Sequence, residues 1–253
     1  MRVLIACEYS GTVRDAFTRL GHQAVSCDLL PTDAPGLHYQ GPVEHLLDGW
    51  MPFNYSADCD PDGDGWCQTT DSDPSDCECI GPTQDDIEYL ERDGILFGRP
   101  EDHPHWDLMI AHPPCTYLSV SGMHWTTRGL RDPKLTEDAL AFVQLLLDAP
   151  IKKIALENPI SIISTRIRKP DQIIQPWWFG EDASKKTCLW LKNLPPLEPT
   201  DKLPGDNKTR RANQTPSGQN KLGPSADRWK IRSSTYQGIA DAMAAQWGAT
   251  LDE

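Results

Sequence analysis

The hydrophobic pattern at the start of the chain predicts a strand, a helix and a second strand. The first apolar run, Val3 to Cys7, has the length of a buried strand. After a turn at Ser10-Gly11, apolar residues recur at helical spacing until Gly21, and Gln23 to Cys27 forms the next strand-like run, followed directly by Asp28. Units of this kind build parallel sheets, in which ligands bind beyond the carboxyl ends of the strands.

The same alternation resumes in the second half of the chain. Apolar runs predict strands at Leu108–Ala111, Lys153–Glu157 and Thr187–Leu191, and helical spacing predicts helices at Leu135–Leu147 and Tyr236–Trp247. We therefore expect a single α/β domain over residues 1–253, with a doubly wound, mostly parallel, Rossmann-like sheet. Because no apolar run approaches the ~20 residues that cross a bilayer, and the first strand meets a charge too early for a signal peptide, we expect a monomeric cytoplasmic protein with no membrane partner.

Two regions depart from this pattern. Residues 54–105 are rich in Asp, Gly, Pro and Cys and separate two core elements, which indicates an insertion. Residues 195–232 are polar, with five prolines among residues 195–216, and show no periodicity. Irregular stretches of this length inside a compact domain are usually functional or disordered.

The charge of the chain is unevenly distributed. The formal net charge is −13, which argues against a nucleic-acid partner because phosphate binding depends on Lys and Arg. Residues 54–106 account for all of this excess, with fifteen acids against two bases, whereas residues 166–232 carry fourteen bases against seven acids. The second stretch could face a polyanion, although a solvated surface explains it equally well.

Two chemically active side chains are expected to meet at the carboxyl edge of the sheet. Cys115 follows the strand Leu108–Ala111 on a loop with two prolines, and Glu157 ends the strand Lys153–Glu157. If these strands are adjacent, the thiol and the carboxyl form a nucleophile and acid pair over one crevice. A buried cysteine and a salt-bridged glutamate are the structural alternatives.

The first turn and Asp28 suggest a nucleoside cofactor. Gly11 stands between a strand and a helix, where a backbone can approach a ligand and helix N–H groups face outward. The GxGxxG spacing of a dinucleotide site is absent, so the glycine alone fits a plain turn. Asp28 strengthens the case, because an acid at the end of the second strand can accept both ribose hydroxyls.

These motifs resemble those of the cytosine-C5 DNA methyltransferases. Asp107 to Cys115 is similar to the family's nucleophile motif, Glu157-Asn158-Pro159 to its Glu-Asn motif, and the Cys7–Gly11 turn with Asp28 to its first two cofactor motifs. The resemblance covers about residues 1–48 and 106–191. Compact members of this kind are frequent in bacteriophages, and Asp182–Leu191 and Thr235–Ala240 are similar to stretches of theirs.

The resemblance implies a fold of the S-adenosylmethionine-dependent methyltransferase type and transfer of a methyl group to C5 of cytosine in DNA. Cys115 would attack C6, Glu157 would stabilise charge at N3, and the target base would be flipped out of the duplex. The cofactor-binding residues implied are Cys7, Tyr9, Ser10, Gly11, Asp28, Asp107 and Pro113.

Candidate DNA contacts lie in the basic stretch. The family's late motif offers Gln and two Arg on a strand, whereas Lys185-Lys186-Thr187 stands here, and residues 195–232 would form a reduced target-recognition region. Side chains able to contact phosphates or base edges include Lys185, Lys186, Arg210, Arg211, Asn213 and Arg228.

The insertion contains a candidate metal site. Four cysteines within a short cytosolic segment suggest Zn²⁺, namely Cys59, Cys67, Cys77 and Cys79, although the usual Cys-x2-Cys pair is absent. The segment Asp60-x-Asp62-x-Asp64-Gly65, with Asp71 at the twelfth place, is similar to a calcium loop. Zinc, calcium and no metal stay open.

Three functions remain possible at this point. The first is a DNA cytosine-C5 methyltransferase. The second keeps the chemistry and uses RNA or a free cytosine nucleotide, which the short recognition region and the acidic block favour. The third is a catalytically silent DNA-binding protein with the same fold, against which the intact Cys115 and Glu157 weigh.

Overall fold

The computed structural model describes residues 1–47, 106–225 and 228–249. Within these ranges the chain forms a seven-stranded sheet in the order β3-β2-β1-β4-β5-β7-β6. The strands are β1 Arg2–Ala6, β2 Gln23–Asp28, β3 His38–Gln40, β4 Leu108–Ala111, β5 Lys153–Pro159, β6 Gln172–Ile174 and β7 Thr187–Lys192.

The sheet is mixed but mostly parallel. β1 pairs in parallel with β2 on one side and with β4 on the other, and β2–β3 and β4–β5 are also parallel. β7 lies antiparallel between β5 and β6. The α/β class and the mostly parallel sheet expected from the sequence are thus confirmed, and the topology is compatible with a Rossmann-like fold.

Helices cover both faces of this sheet. They are α1 Thr12–Arg19, α2 Val120–Thr127, α3 Lys134–Asp148, α4 Ile163–Arg166, α5 Arg228–Ser233 and α6 Gln237–Gly248. One face of the sheet packs on α3 through residues such as Val143 and Leu146, and the other packs on α1 and α6 through residues such as Phe17 and Met243. Because each strand alternates its side chains between the two faces, β1 contributes Leu4 to the first apolar cluster and Ile5 to the second.

Of the two regions that depart from the strand-helix pattern, the structure describes only the second. The insertion at residues 54–105, with its candidate metal ligands Cys59, Cys67, Cys77 and Cys79 and the calcium-like loop, lies outside the described residues. Residues 195–225 consist of turns and isolated bridges, such as that between Gln214 and Asn220, before α5 begins at Arg228. The irregular character expected of this stretch is confirmed as far as residue 225.

Candidate functional site

The topology marks the carboxyl ends of β1 and β4 as the place where a ligand crevice is expected. From β1 the chain proceeds to β2 on one side, whereas β4 lies on the other, so the order of the strands reverses at this point. Open α/β sheets bind their ligands at such a reversal. The turn after β1, the end of β2, the loop after β4 and the end of β5 all lie along this edge.

The turn after β1 is tightly constrained and closed to phosphate. Gly11 has φ +73°, and a Cβ there would overlap the Arg14 guanidinium, so glycine is required. The buried Glu8 carboxylate accepts the N–H groups of Val13 at 2.8 Å and Arg14 at 3.2 Å. The sequence suggested that the N–H groups of α1 face a ligand, but Glu8 already occupies two of them.

Tyr9 and Ser10, both expected to bind cofactor, have their side chains engaged within the protein. The Tyr9 ring is buried, and its hydroxyl donates to the carbonyl of Lys230, 3.2 Å away in α5. The Tyr9 and Trp229 rings lie 5.9 Å apart. The Ser10 hydroxyl donates to Glu8 Oε1 at 3.1 Å. Helix α5 therefore lies against this turn, and the backbone of the turn is what remains to meet a ligand.

Asp28 stands at the carboxyl end of β2, beside the crevice. Its Oδ1 accepts the N–H of Leu30 at 3.0 Å, and partial burial raises the pKa of its carboxyl. The backbone of Leu29 also interacts with this carboxylate, whose two oxygens offer about four acceptor positions, more than these two backbone groups use. The geometry thus leaves Asp28 able to accept a hydroxyl of a ligand, as the sequence suggested.

Asp107, expected among the cofactor residues, lies at the wrong end of the sheet. It precedes β4, and its Oδ2 accepts the N–H of Arg2 at 2.7 Å. A four-residue strand places its two ends about 13 Å apart, so Asp107 faces the opposite edge from Cys7 and Pro113. Its interaction with β1 is structural, and its assignment to the cofactor was wrong.

The loop after β4 holds Cys115 in an exposed position. The Asn158 side chain donates to the Pro113 carbonyl at 2.8 Å and so ties this loop to β5. The Cys115 carbonyl accepts the N–H of Ser119 at 2.8 Å, which turns the chain into α2. Cys115 is exposed, although neighbouring atoms still remove part of the water from its thiol.

Glu157 and Cys115 are close enough to influence each other. β4 and β5 are adjacent and parallel, as the pair requires. Burial, together with the negative charge of Glu157, raises the pKa of the Cys115 thiol, whereas Lys185 and Arg232 act to lower it. The described residues thus place the Cys115 thiol and the Glu157 carboxyl at the same edge of the sheet.

Glu157 is buried yet ionised. Its largest influence is burial, which acts to raise the pKa of its carboxyl, but a hydrogen bond from His112, the charge of Lys185 and a hydrogen bond from Thr187 together leave the pKa below its usual value. His112 Nδ1 lies 3.1 Å from Glu157 Oε2. The Glu157 carboxyl therefore carries no proton in the free protein.

His112 is the residue that the sequence interpretation missed. It was read only as part of a strand-breaking His-Pro-Pro segment, but its side chain is almost fully buried against Glu157. A signal was available, because His112 directly follows a strand and precedes the two prolines that fix the Cys115 loop. A titratable side chain at the carboxyl end of a strand lies at the edge where ligands bind, and it is therefore a candidate site residue.

Lys185 belongs to this cluster, and Lys186 does not. The half-buried Lys185 ammonium donates to the Ser234 carbonyl at 3.3 Å and faces both Glu157 and Cys115. Lys186, its neighbour, is exposed. Of the two lysines expected to contact DNA, the first lies within the thiol and carboxyl site and the second is free to reach a phosphate.

Two of the four remaining DNA candidates are occupied by the protein itself. Arg211 is buried, with its guanidinium 4.6 Å from the centre of the Trp177 ring. The Asn213 side chain donates to the Ser184 carbonyl at 3.1 Å and accepts the N–H of Ser184 at 2.9 Å. These contacts make Arg211 and Asn213 internal supports, which corrects the expectation that they meet DNA. Arg210 is exposed and Arg228 is half-buried.

The contrast between Arg210 and Arg211 gives a direct test of where a nucleic acid lies. If the chain binds duplex DNA, as the sequence suggests, Arg210→Ala should weaken that binding and reduce the salt slope by roughly one logarithmic unit per lost phosphate contact. Arg211→Ala should instead lower the melting temperature, because it removes a buried side chain packed on Trp177. Salt titrations of duplex binding and thermal melts of both variants check this. An unchanged slope in Arg210→Ala would move the nucleic acid to another surface.

Other described residues add no metal centre or membrane span. Within residues 1–47, 106–225 and 228–249, no group of three or more His, Cys, Asp or Glu is arranged to hold a metal ion. In the same ranges, no helix combines the length and the apolarity that crossing a bilayer requires.

Comparison with known proteins adds no identity to this geometry. No protein-family model matches the chain, and no curated protein matches it significantly. A fold alone does not define an activity, and the feature of the described residues that points to one is the cluster of Cys115, Glu157, His112 and Lys185.

Proposed function

We propose that the protein transfers a methyl group from S-adenosylmethionine to C5 of cytosine in DNA. The observation that carries the proposal is the placement of an exposed thiol, Cys115, beside an ionised buried carboxylate, Glu157, at the carboxyl edge of adjacent parallel strands. The chemistry of cytosine methylation needs a nucleophile and a group that handles charge on the same ring. The resemblance of the surrounding motifs to cytosine-C5 DNA methyltransferases supports the same conclusion.

Cys115 would begin the reaction. C5 of cytosine is a weak nucleophile, so the Cys115 thiolate first forms a bond to C6, and the displaced π electrons move through the ring towards N3. Lys185 and Arg232 favour the thiolate, while Glu157 opposes it as long as the carboxylate is charged. Neutralisation of Glu157 by a proton would therefore assist the attack as well as stabilise the ring.

Glu157 would hold the ring at N3. A protonated Glu157 can donate a hydrogen bond to N3 as negative charge develops there. C5 then bonds to the incoming methyl group, the C5 proton passes to solvent, and the electron pair of the C5–H bond expels the Cys115 thiolate from C6. Every residue that the sequence assigned to the chemistry thus has one defined atom to act on.

The residues along β1 and β2 fit S-adenosylmethionine better than a dinucleotide. Glu8 occupies the N–H groups with which a helix would bind a pyrophosphate, and S-adenosylmethionine carries no phosphate. Asp28 would accept the ribose hydroxyls. When bound, this cofactor would supply an electrophilic methyl group to C5.

Asp28 gives the cofactor assignment its own test. Asp28→Ala should weaken S-adenosylmethionine binding by about 10–100-fold, because hydrogen bonds to a charged group contribute ~1.5–3 kcal/mol. Isothermal titration calorimetry measures the change. Asp107→Asn is the matched control, since it lies at the opposite edge and should leave the affinity unchanged. Equal affinities for wild type and Asp28→Ala would remove Asp28 from the site.

The nature of the nucleic acid is tested by direct methylation. Wild-type protein is incubated with S-[methyl-³H]-adenosylmethionine and duplex DNA, single-stranded DNA, RNA or a cytosine nucleotide, and 5-methylcytosine is measured. Transfer to duplex DNA supports the proposal. Transfer to RNA or nucleotide alone keeps the chemistry and changes the substrate, whereas cofactor binding without transfer to any acceptor argues for a silent protein.

A further inference from the structure

His112 and Glu157 form a buried pair. The proposed reaction gives a role to Cys115 and Glu157 but none to His112. His112 Nδ1 lies 3.1 Å from Glu157 Oε2, and their side chains are 9% and 11% exposed. Glu157 must donate a proton to N3 in the proposed reaction, yet its carboxyl is ionised in the free protein. A source for that proton has to lie within reach of the carboxylate.

The backbone holds His112 firmly in this position. Its N–H donates to the carbonyl of Ala6 at 2.9 Å, which extends the β1–β4 pairing by one residue. The next residue, Pro113, has its carbonyl held by Asn158 at 2.8 Å. Because a residue before proline is conformationally restricted, the backbone directs the imidazole at Glu157.

Several groups face Glu157, and they differ in their ability to donate a proton to its carboxylate. Lys185 approaches from the start of β7, but its ammonium donates to the Ser234 carbonyl. Thr187 offers a hydrogen bond from β7, and the Cys115 thiol lies across the crevice, where Lys185 and Arg232 also act on it. The Cys188 thiol, also in β7, has its pKa raised by burial and by the charge of Glu157. Among these groups, His112 is the titratable side chain in direct contact with the carboxylate.

The second imidazole nitrogen supports a dedicated role for Nδ1. His112 Nε2 is buried without a hydrogen-bond partner in the described part of the chain. Glu157 is consequently the side chain whose contact fixes the orientation of the ring. A buried histidine kept only for packing would ordinarily satisfy both nitrogens.

We propose that His112 is a positioning residue that orients Glu157 and supplies, through it, the proton that the target base receives at N3. This inference rests on the proposed function. The imidazolium–carboxylate pair contains the same number of protons as an imidazole beside a carboxylic acid. When a base enters, the Nδ1 proton moves to Glu157 Oε2, and the carboxyl O–H donates to N3 as Cys115 bonds to C6. The proton returns along the same path when the thiolate leaves.

Two substitutions separate orientation from proton supply. His112→Asn keeps an N–H donor near the position of Nδ1 but cannot carry a second proton, whereas His112→Leu removes the donor altogether. His124→Asn, in the exposed part of α2, is the matched control. Circular dichroism and thermal melts identify any variant that fails to fold, in which case His112→Gln replaces it.

The first measurement needs no methyl transfer. The Glu157 carboxyl is titrated by ¹³C NMR in the free protein. In His112→Leu its midpoint should rise, because burial is then less well opposed, and in His112→Asn it should stay near the wild-type value. A midpoint that is the same in wild type and His112→Leu would overturn the pairing.

The second measurement follows kcat, KM and their pH dependence with duplex DNA. His112→Asn should keep KM within a few-fold and lower kcat by about 10²-fold, the smaller end of a general acid contribution. We expect kcat/KM of the wild type to decline at high pH, where the pair no longer holds the proton, and this decline should be absent in His112→Asn. A wild-type kcat and pH profile in His112→Asn would overturn proton supply. If wild type methylates nothing while the NMR titration behaves as expected, the proposed function fails and the pairing stands.

Discussion

Cys115→Ser is expected to abolish methyl transfer, with a loss on the order of 10⁴-fold or more, as for removal of a catalytic nucleophile. A hydroxyl is far less ionised than a thiol at neutral pH, so no comparable nucleophile would remain at C6. Cys115 is exposed, and the exchange should therefore leave the fold intact. Incorporation of tritium into DNA measures the effect, and mass spectrometry of the protein trapped on 5-fluorocytosine DNA measures the covalent bond.

A matched exchange separates lost chemistry from general damage. Cys27 is buried and its thiol donates to the Gly41 carbonyl at 3.3 Å, a contact that a serine hydroxyl can also make. Cys27→Ser should consequently keep activity within a few-fold. Cofactor affinity should be unchanged in Cys115→Ser. Substantial methylation by Cys115→Ser, or trapping of that variant on 5-fluorocytosine DNA, would contradict the assigned role.

The sheet could be predicted because its strands are short apolar runs buried on both faces. β4 was placed at Leu108–Ala111 from the sequence and has those bounds in the structure, and α3 extends the expected helix by one residue at each end. β3 and β6 were missed, since His38–Gln40 and Gln172–Ile174 are three-residue edge strands with too few positions to show a period.

The site could be predicted where chain order determines geometry. Cys115 follows β4 and Glu157 lies near the carboxyl end of β5. These two strands are neighbours in the parallel part of the sheet, so the meeting of the two residues follows from the alternation of elements. Asp107 failed because a motif was carried over as a unit, although its two ends lie on opposite edges of the sheet. The sequence shows that a residue lies near a strand, but the direction of the strand determines at which edge of the sheet that residue lies.

The roles of Arg210, Arg211 and His112 were harder to predict. An arginine side chain is long enough to reach either solvent or a buried partner, and an imidazole can either donate or accept a hydrogen bond. Arg210 and Arg211 are adjacent in a polar segment, yet one is exposed and the other packs on Trp177. No local pattern distinguishes them, since the stacking partner is contributed by a segment more than thirty residues earlier. His112 similarly acquires its role from Glu157, whose contact requires the completed β4–β5 pairing.

Glu157→Gln is expected to lower kcat by about 10²–10⁴-fold while changing DNA affinity little. The amide oxygen can still accept from His112, and the amide N–H₂ can still face N3, so the base remains held. What is lost is a group able to gain and release a proton as the ring accepts charge. Because only the transition state depends on that exchange, the effect should fall on kcat more than on binding. Single-turnover kinetics and duplex titrations measure the two quantities separately.

The same substitution should make Cys115 a better nucleophile at a given pH. The Glu157 carboxylate helps to raise the pKa of the thiol, so removal of its charge should shift the pH profile of iodoacetamide alkylation at Cys115 to lower pH. Glu137→Gln, at an exposed carboxylate 2.8 Å from Arg166, should leave both alkylation and methylation unchanged. Catalysis would then fall although thiolate forms more readily, which places the barrier in the handling of charge on the ring. A fall in kcat that accompanies a rise in the alkylation midpoint would instead assign Glu157 to activation of the thiol.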